Sequence, residues 1–219
     1  MLDISRHREL IDTEKFNHKV TVVGAGATGS FVVLALAKLG IKNIEVYDFD
    51  IVEEHNIANQ LYSIHDVGKK KVVALKEYVK SNTGIDISIV EERFTNQRVE
   101  GYLCVMVDTM ASRKEIFNNS IKLKPSVILA IEPRMGLDMM RLYNIEPLRI
   151  SSHKAYEDTL YGDDTAEVSA CGNSMSVITS SLLVASYVVR QIINHFNQVP
   201  LHNEILLDLK FNNLFVNEF

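Results

Sequence analysis

The chain has 219 residues, 47% of them apolar (AVILMFWYC) and 23% charged, which excludes a disordered chain and fits one domain or two tight lobes. Its net charge of −5, from 23 basic and 28 acidic side chains, argues against a broad electrostatic grip on nucleic acid, so no nucleic-acid partner is expected. Two cysteines, Cys104 and Cys171, are too few for a disulfide scaffold or a four-cysteine zinc site; we expect reduced thiols, a cytoplasmic location and no zinc.

The first apolar run, residues 19–23, is β-branched and ends in a glycine turn, so it reads as a buried strand. A helix is predicted over 30–39, with Gly40 beyond its end, then a strand over 44–49. Residues 66–81 read as an amphipathic helix with Val67, Val72, Leu75, Tyr78 and Val79 on one face. Strands follow over 85–90 and 102–107, a helix over 111–121 and a strand over 127–131. This order implies an α/β fold: a Rossmann-like, mostly parallel sheet with helices on both faces.

The remainder changes character. Residues 139–145 read as a strand, 151–167 as a polar loop, and 174–196 as a long helix. Residues 204–211 and 214–219 predict antiparallel C-terminal strands, a hairpin around Asn212 and Asn213. The longest apolar-leaning stretch, 177–193, is broken by polar residues that include Arg190 and Gln191, so no membrane span is expected. Residues 1–16 carry acids and no apolar run, so no signal peptide is expected either. With no linker in view, we expect one domain over 1–219. It comprises an N-terminal arm (1–18), a core (19–135) and a lobe with the long helix and C-terminal hairpin (136–219).

The sharpest local signal is Gly24-Ala-Gly26-Ala-Thr-Gly29 between a strand and a helix. Gly24 permits the tight turn, Gly26 lets backbone approach a phosphate, and Gly29 lets the helix pack on the strand. The helix start offers N–H groups to an anion. Asp48 stands at the end of the next strand, where an acid can meet a ribose hydroxyl. These features alone suit an NAD(P)-dependent oxidoreductase, which leaves Asn56, Gln60, Lys71 and Asp108 without a purpose.

Those further residues, taken in order, are similar to the pattern of the E1-like adenylating enzymes, the ThiF/MoeB/HesA family. That pattern is a glycine loop, Asp-x-Asp, an Asn three residues before Arg-Gln, Gly-x-x-Lys, and an Asp followed five residues later by Arg. Here it reads Asp48-Phe-Asp50, Asn56, Asn59-Gln60, Gly68-x-x-Lys71 and Asp108 with Arg113, and the likeness runs over residues 5–196. The resemblance implies ATP-dependent adenylyl transfer to the C-terminal carboxylate of a small ubiquitin-like or sulfur-carrier protein, with pyrophosphate released. It further implies ATP and Mg²⁺ as ligands and a homodimer. By the same resemblance Asp48 and Asp50 flank the nucleotide, Asn56 and Gln60 lie near the phosphates, and Lys71 contacts the triphosphate. Asp108 helps bind Mg²⁺, and Arg8 reaches the nucleotide of a neighbouring subunit.

The pattern departs in one place: Asn59 stands where the family has arginine, so a positive charge is missing. Lys69, Lys70 or Arg134 are the candidates to replace it. The other reading is a non-catalytic relative that binds nucleotide or partner, since non-catalytic E1 halves also lack this arginine. Cys171, just before the long helix, is a candidate reactive thiol whose thiolate the helix start would favour. The segment Glu132-Pro-Arg134-Met-Gly136 reads as a strand C-terminus that shapes the carboxylate pocket.

Overall fold

A computed structural model gives the fold, and it describes residues 2–162 and 177–219. The elements are β1 (Val20–Val23), α1 (Gly29–Lys38), β2 (Ile44–Tyr47), α2 (Lys71–Thr83) and β3 (Ser88–Val90). Then come β4 (Gly101–Val105), α3 (Met110–Ile116), β5 (Val127–Met135), β6 (Met139–Ile145), α4 (Ile150–Glu157), α5 (Ile178–Phe196), β7 (Glu204–Asp208) and β8 (Asn213–Asn217).

One eight-stranded sheet runs in the order β3-β2-β1-β4-β5-β6-β7-β8. The strands from β3 to β5 are parallel, and β5 to β8 are antiparallel. Alternation along the strands sends side chains to two cores. Val20, Val22, Tyr102, Cys104, Leu129 and Ile131 pack under α1, α2 and α5. Val23, Leu103, Val105 and Ala130 pack on the opposite face against Ile116, Phe117 and Tyr156. Each wholly buried valine or leucine here contributes about 1.5–3 kcal/mol. Burial lifts the Cys104 thiol to about 12, so it is an inert apolar side chain.

The fold class matches the expectation, and several boundaries do not. Residues 151–157, read as loop, belong to α4, which buries Ser152, His153 and Tyr156. The helix expected from 66 starts at Lys71, because Ile64–Asp66 is a separate 3₁₀ turn. α3 ends in a π-helical turn, Phe117–Ile121. β5 continues to Met135, so Glu132 and Arg134 lie inside a hairpin strand opposite Tyr143 and Arg141 rather than at a strand end. Cys171 and the expected helix start at 174 lie outside the described residues. No described helix is long and apolar enough to cross a membrane.

Candidate active site

The sheet reverses its strand order at β1. From there the chain builds outward to β2 and β3 on one side and to β4 and β5 on the other. Ligands in such sheets bind beyond the C-terminal ends of the strands at this switch point. Tyr47, Val23 and Val105 are in register there. The glycine loop therefore leaves the centre strand, flanked by Asp48 beyond β2 and Asp108 beyond β4.

The loop's glycines divide by what surrounds them. Gly24 has φ +96°, and a Cβ there would lie 2.5 Å from the Met106 carbonyl oxygen. A Cβ on Gly29 would lie 1.9 Å from the Gly24 carbonyl oxygen, so the start of α1 sits directly on the turn. A Cβ on Gly26 would meet nothing within 4 Å. Gly26 faces open space, as a backbone that must admit a phosphate requires. No side chain caps the start of α1; the Ser30 N–H donates to the Gly26 carbonyl at 3.1 Å, which leaves the Gly29 and Phe31 N–H groups to a ligand or water.

Asp48 holds the loop. Its Oδ2 accepts from the Ala25 N–H at 2.7 Å, and its Oδ1 accepts from the Asp50 N–H at 2.8 Å. Burial pushes its pKa above the ordinary aspartate value, outweighing these two donors and the nearby Lys71 charge. Tyr62 braces the same turn, its hydroxyl donating to the Ala25 carbonyl at 2.5 Å. The Leu61 N–H donates to Ser30 Oγ at 3.2 Å. Tyr62 and Leu61 thereby bring the 56–60 turn against the glycine loop. A lone tyrosine carries no pattern, so nothing in the sequence singled Tyr62 out.

Asn56 is buried, and its side-chain oxygen accepts from the Glu53 N–H at 2.9 Å. Its carbonyl accepts from the Gln60 N–H at 2.9 Å. Gln60 Oε1 is buried with no hydrogen-bond partner among the described residues. Lys71 is 8% exposed, and its ammonium lies 2.9 Å from Asp50 Oδ2. The segments that carry these two residues pair through Ile51 and Lys70.

The cations considered as substitutes for the missing arginine all have partners. Lys69 bridges Asp66 and Glu77 at 3.0 and 3.1 Å. The Lys70 ammonium donates to the Phe49 carbonyl at 2.7 Å. Arg134 forms a two-pronged pair with Glu132, at 2.8 and 3.1 Å.

Asp108 is exposed, and its carboxylate makes no hydrogen bond or ion pair with any described residue. Its carbonyl accepts from Arg113 NH1 at 3.2 Å. Arg113 itself is buried, with Nε 2.8 Å from Glu132 Oε1. That N–H is not aimed along the contact, which makes it a charge pair rather than a directed hydrogen bond.

Arg8 is placed elsewhere. Its arm packs at the far end of α1, where His7 Nε2 lies 3.2 Å from the Leu39 carbonyl. Arg8 itself is exposed and 3.5 Å from Glu14. The ten residues of α1 separate that end from the glycine loop by about 15 Å. Gly24, Gly26, Gly29, Asp48, Asp50, Asn56, Gln60 and Lys71 thus gather at one end of the sheet with Asp108 beside them. Arg8 of the same chain does not join them.

Among the described residues no group of three or more His, Cys, Asp or Glu side chains is placed to hold a metal ion. A single exposed carboxylate such as Asp108 fits Mg²⁺, which keeps several waters and is shared between one or two carboxylates and phosphates.

A family model described as the ThiF family matches residues 13–216. The chain belongs to the ThiF family. The NEDD8-activating enzyme E1 catalytic subunit of Arabidopsis thaliana is 33% identical over 105 residues, covering 45% of this ThiF-family chain and 23% of that protein. A Mycobacterium tuberculosis protein named "Probable adenylyltransferase/sulfurtransferase MoeZ" is 36% identical over 64 residues, covering 29% and 16%. The matched stretch is therefore less than a quarter of the length of either relative. In fold, the chain is similar to Escherichia coli MccB crystallised with ATP, at a TM-score of 0.69 and 16% identity over 96% of this chain and 65% of that one.

Proposed function

We propose that this chain is an ATP-dependent adenylyltransferase. It activates the C-terminal carboxylate of a small ubiquitin-like or sulfur-carrier protein as an acyl-adenylate. The observation that carries the reading is the placement of the glycine loop between Asp48 and Asp108 at the switch point of a ThiF-family sheet. Relatives named as adenylyltransferases support it.

In the proposed reaction a substrate carboxylate oxygen attacks the α-phosphorus of ATP. A bond forms from that oxygen to phosphorus, the bond to the β-phosphate's bridging oxygen breaks, and pyrophosphate leaves. The N–H groups at the start of α1, with Gly26 as the open approach, receive phosphate oxygens. Asp48, held by two backbone donors, is the group positioned for a ribose hydroxyl. Lys71 turns part of its charge from Asp50 to the triphosphate. Asp108 is the carboxylate that would hold Mg²⁺, which supplies charge neutralisation on the phosphates when bound. Arg8 acts across a homodimer, on the nucleotide of the neighbouring subunit.

One observation favours a second reading, a non-catalytic relative that binds nucleotide or partner. Position 59 is neutral, and Lys69, Lys70 and Arg134 are each engaged elsewhere.

A thermal-shift titration separates the readings. Ligand that binds only the folded state raises its stability by about 2.7 kcal/mol at a hundred times Kd. Adenylation predicts stabilisation by Mg-ATP and ATP–pyrophosphate exchange once candidate carriers are added. Stabilisation without exchange across carriers with free C-terminal carboxylates favours the second reading. Stabilisation by NAD alone overturns both.

A further inference from the structure

Glu132 is wholly buried at the centre of a cluster that the adenylation chemistry above does not use. Its Oε1 lies 2.8 Å from Nε of both Arg113 and Arg134. Its Oε2 takes the second prong of Arg134 at 3.1 Å and accepts the Tyr156 hydroxyl. Arg134 is fully committed there, since its other donors reach the Thr159 carbonyl at 2.8 Å and Thr159 Oγ1 at 3.0 Å. Arg113 is not: beyond its contact with Glu132, its NH1 extends to the Asp108 carbonyl.

We propose that Glu132 is a positioning residue for Asp108, acting through Arg113. The charge attraction of Glu132 holds the planar guanidinium of Arg113 in place, and its one directed bond, from NH1, reaches the Asp108 carbonyl at 3.2 Å. NH1 holds the peptide that carries the Asp108 carboxylate, which has no partner of its own among the described residues. β4 and β5 are neighbours in the sheet, so the anchor on β5 sits on rigid backbone next to the loop it steadies. Removing the charge at Glu132 leaves Arg113 buried without that counter-ion, so nothing offsets its desolvation at the place from which NH1 reaches Asp108. The link rests on the adenylation reading only for what Asp108 is used for, not for its place.

The test is hydrogen–deuterium exchange on the full chain without ligand, comparing wild type, Glu132→Gln, Arg113→Met and the double variant. Arg113→Met leaves the Glu132–Arg134 pair intact, so it stays informative if Glu132→Gln does not fold. The expected result is exchange about tenfold or more faster in residues 107–112, the scale of one lost charge-assisted bond, with residues 24–29 unchanged. The double variant is expected to exchange no faster than Arg113→Met. Unchanged exchange at 107–112 in Arg113→Met overturns the proposal, as does a uniform rise across β1 to β5.

A second arm uses Mn²⁺ as the metal probe with ATP. The expected outcome is about tenfold weaker Mn-ATP binding in Arg113→Met, with ATP binding in EDTA unchanged. Equal weakening of both overturns the proposal. Absence of any ATP binding by the wild type overturns the adenylation reading, while the exchange arm still decides the link to Glu132.

Discussion

Lys71 and Asp50 hold each other twice. The Lys71 ammonium lies 2.9 Å from Asp50 Oδ2, and the Lys71 N–H donates to the Asp50 carbonyl at 3.0 Å. The lysine end is buried and the carboxylate is half exposed. The site thus stores a positive charge against an anion that water can take over when phosphates arrive. Lys71→Met should cost about 1–2 kcal/mol of stability, between the values for surface and buried pairs. It should also cut the gain from Mg-ATP at a hundred times wild-type Kd from about 2.7 to below about 1 kcal/mol. Chemical denaturation with and without Mg-ATP measures both. An undiminished gain would remove Lys71 from the nucleotide site.

The three loop glycines should fail in different ways. Gly24→Ala meets both the positive φ and the Met106 carbonyl, and Gly29→Ala drives a methyl into the Gly24 carbonyl. Each should destabilise by about 2–4 kcal/mol. Gly26→Ala adds a methyl in open space, so its stability should change by less than about 0.5 kcal/mol while Mg-ATP affinity falls. Denaturant midpoints and nucleotide titrations on the three variants check this split. Equal destabilisation by all three would show that the opening at Gly26 is not ligand space.

The parts read correctly from sequence are those whose physics is local. Strand period, the glycine turn and the acid beyond β2 are each written within a few residues. α4 is not legible in the sequence because its seven residues after Ile150 offer no apolar stripe; Ser152, His153 and Tyr156 are the side chains it buries. The Glu132 cluster is not legible as a unit because its charges lie on β5 and α3. Glu132 and Arg134 are two residues apart on one face of β5, but Arg113 reaches them only once β4 and β5 pair, and no spacing rule announces that contact. Arg134 reads from the sequence as a replacement cation, and its pairing with Glu132 and Thr159 explains why it is not free for that part.

Asp48 gives a pH signature. Burial raises its pKa above the ordinary aspartate value, despite the Ala25 and Asp50 donors. The folded state therefore holds the proton more tightly than the unfolded state. The stability from this group is complete below the unfolded value and is lost as pH rises through the raised folded value. Wild type should hold its largest advantage over Asp48→Asn near about pH 3 and a smaller one near about pH 7. Urea melts at the two pH values test the sign. A larger advantage at neutral pH would mean that the two N–H donors, not burial, govern this carboxylate.

His153 should be improvable. It is 3% exposed, packs edge-on against Phe117 at a ring separation of 5.6 Å, and both ring nitrogens are buried without partners among the described residues. A buried polar atom without a partner carries a desolvation cost of about 1–3 kcal/mol. His153→Phe replaces the imidazole with a ring that has nothing to desolvate, though its larger size offsets part of the gain. The net stabilisation should be about 1 kcal/mol, or about 2–4 °C in Tm for a chain of this length. Differential scanning calorimetry decides the matter. A lower Tm would mean that the imidazole nitrogens hold something in solution, and a structure of the variant would then show what was lost.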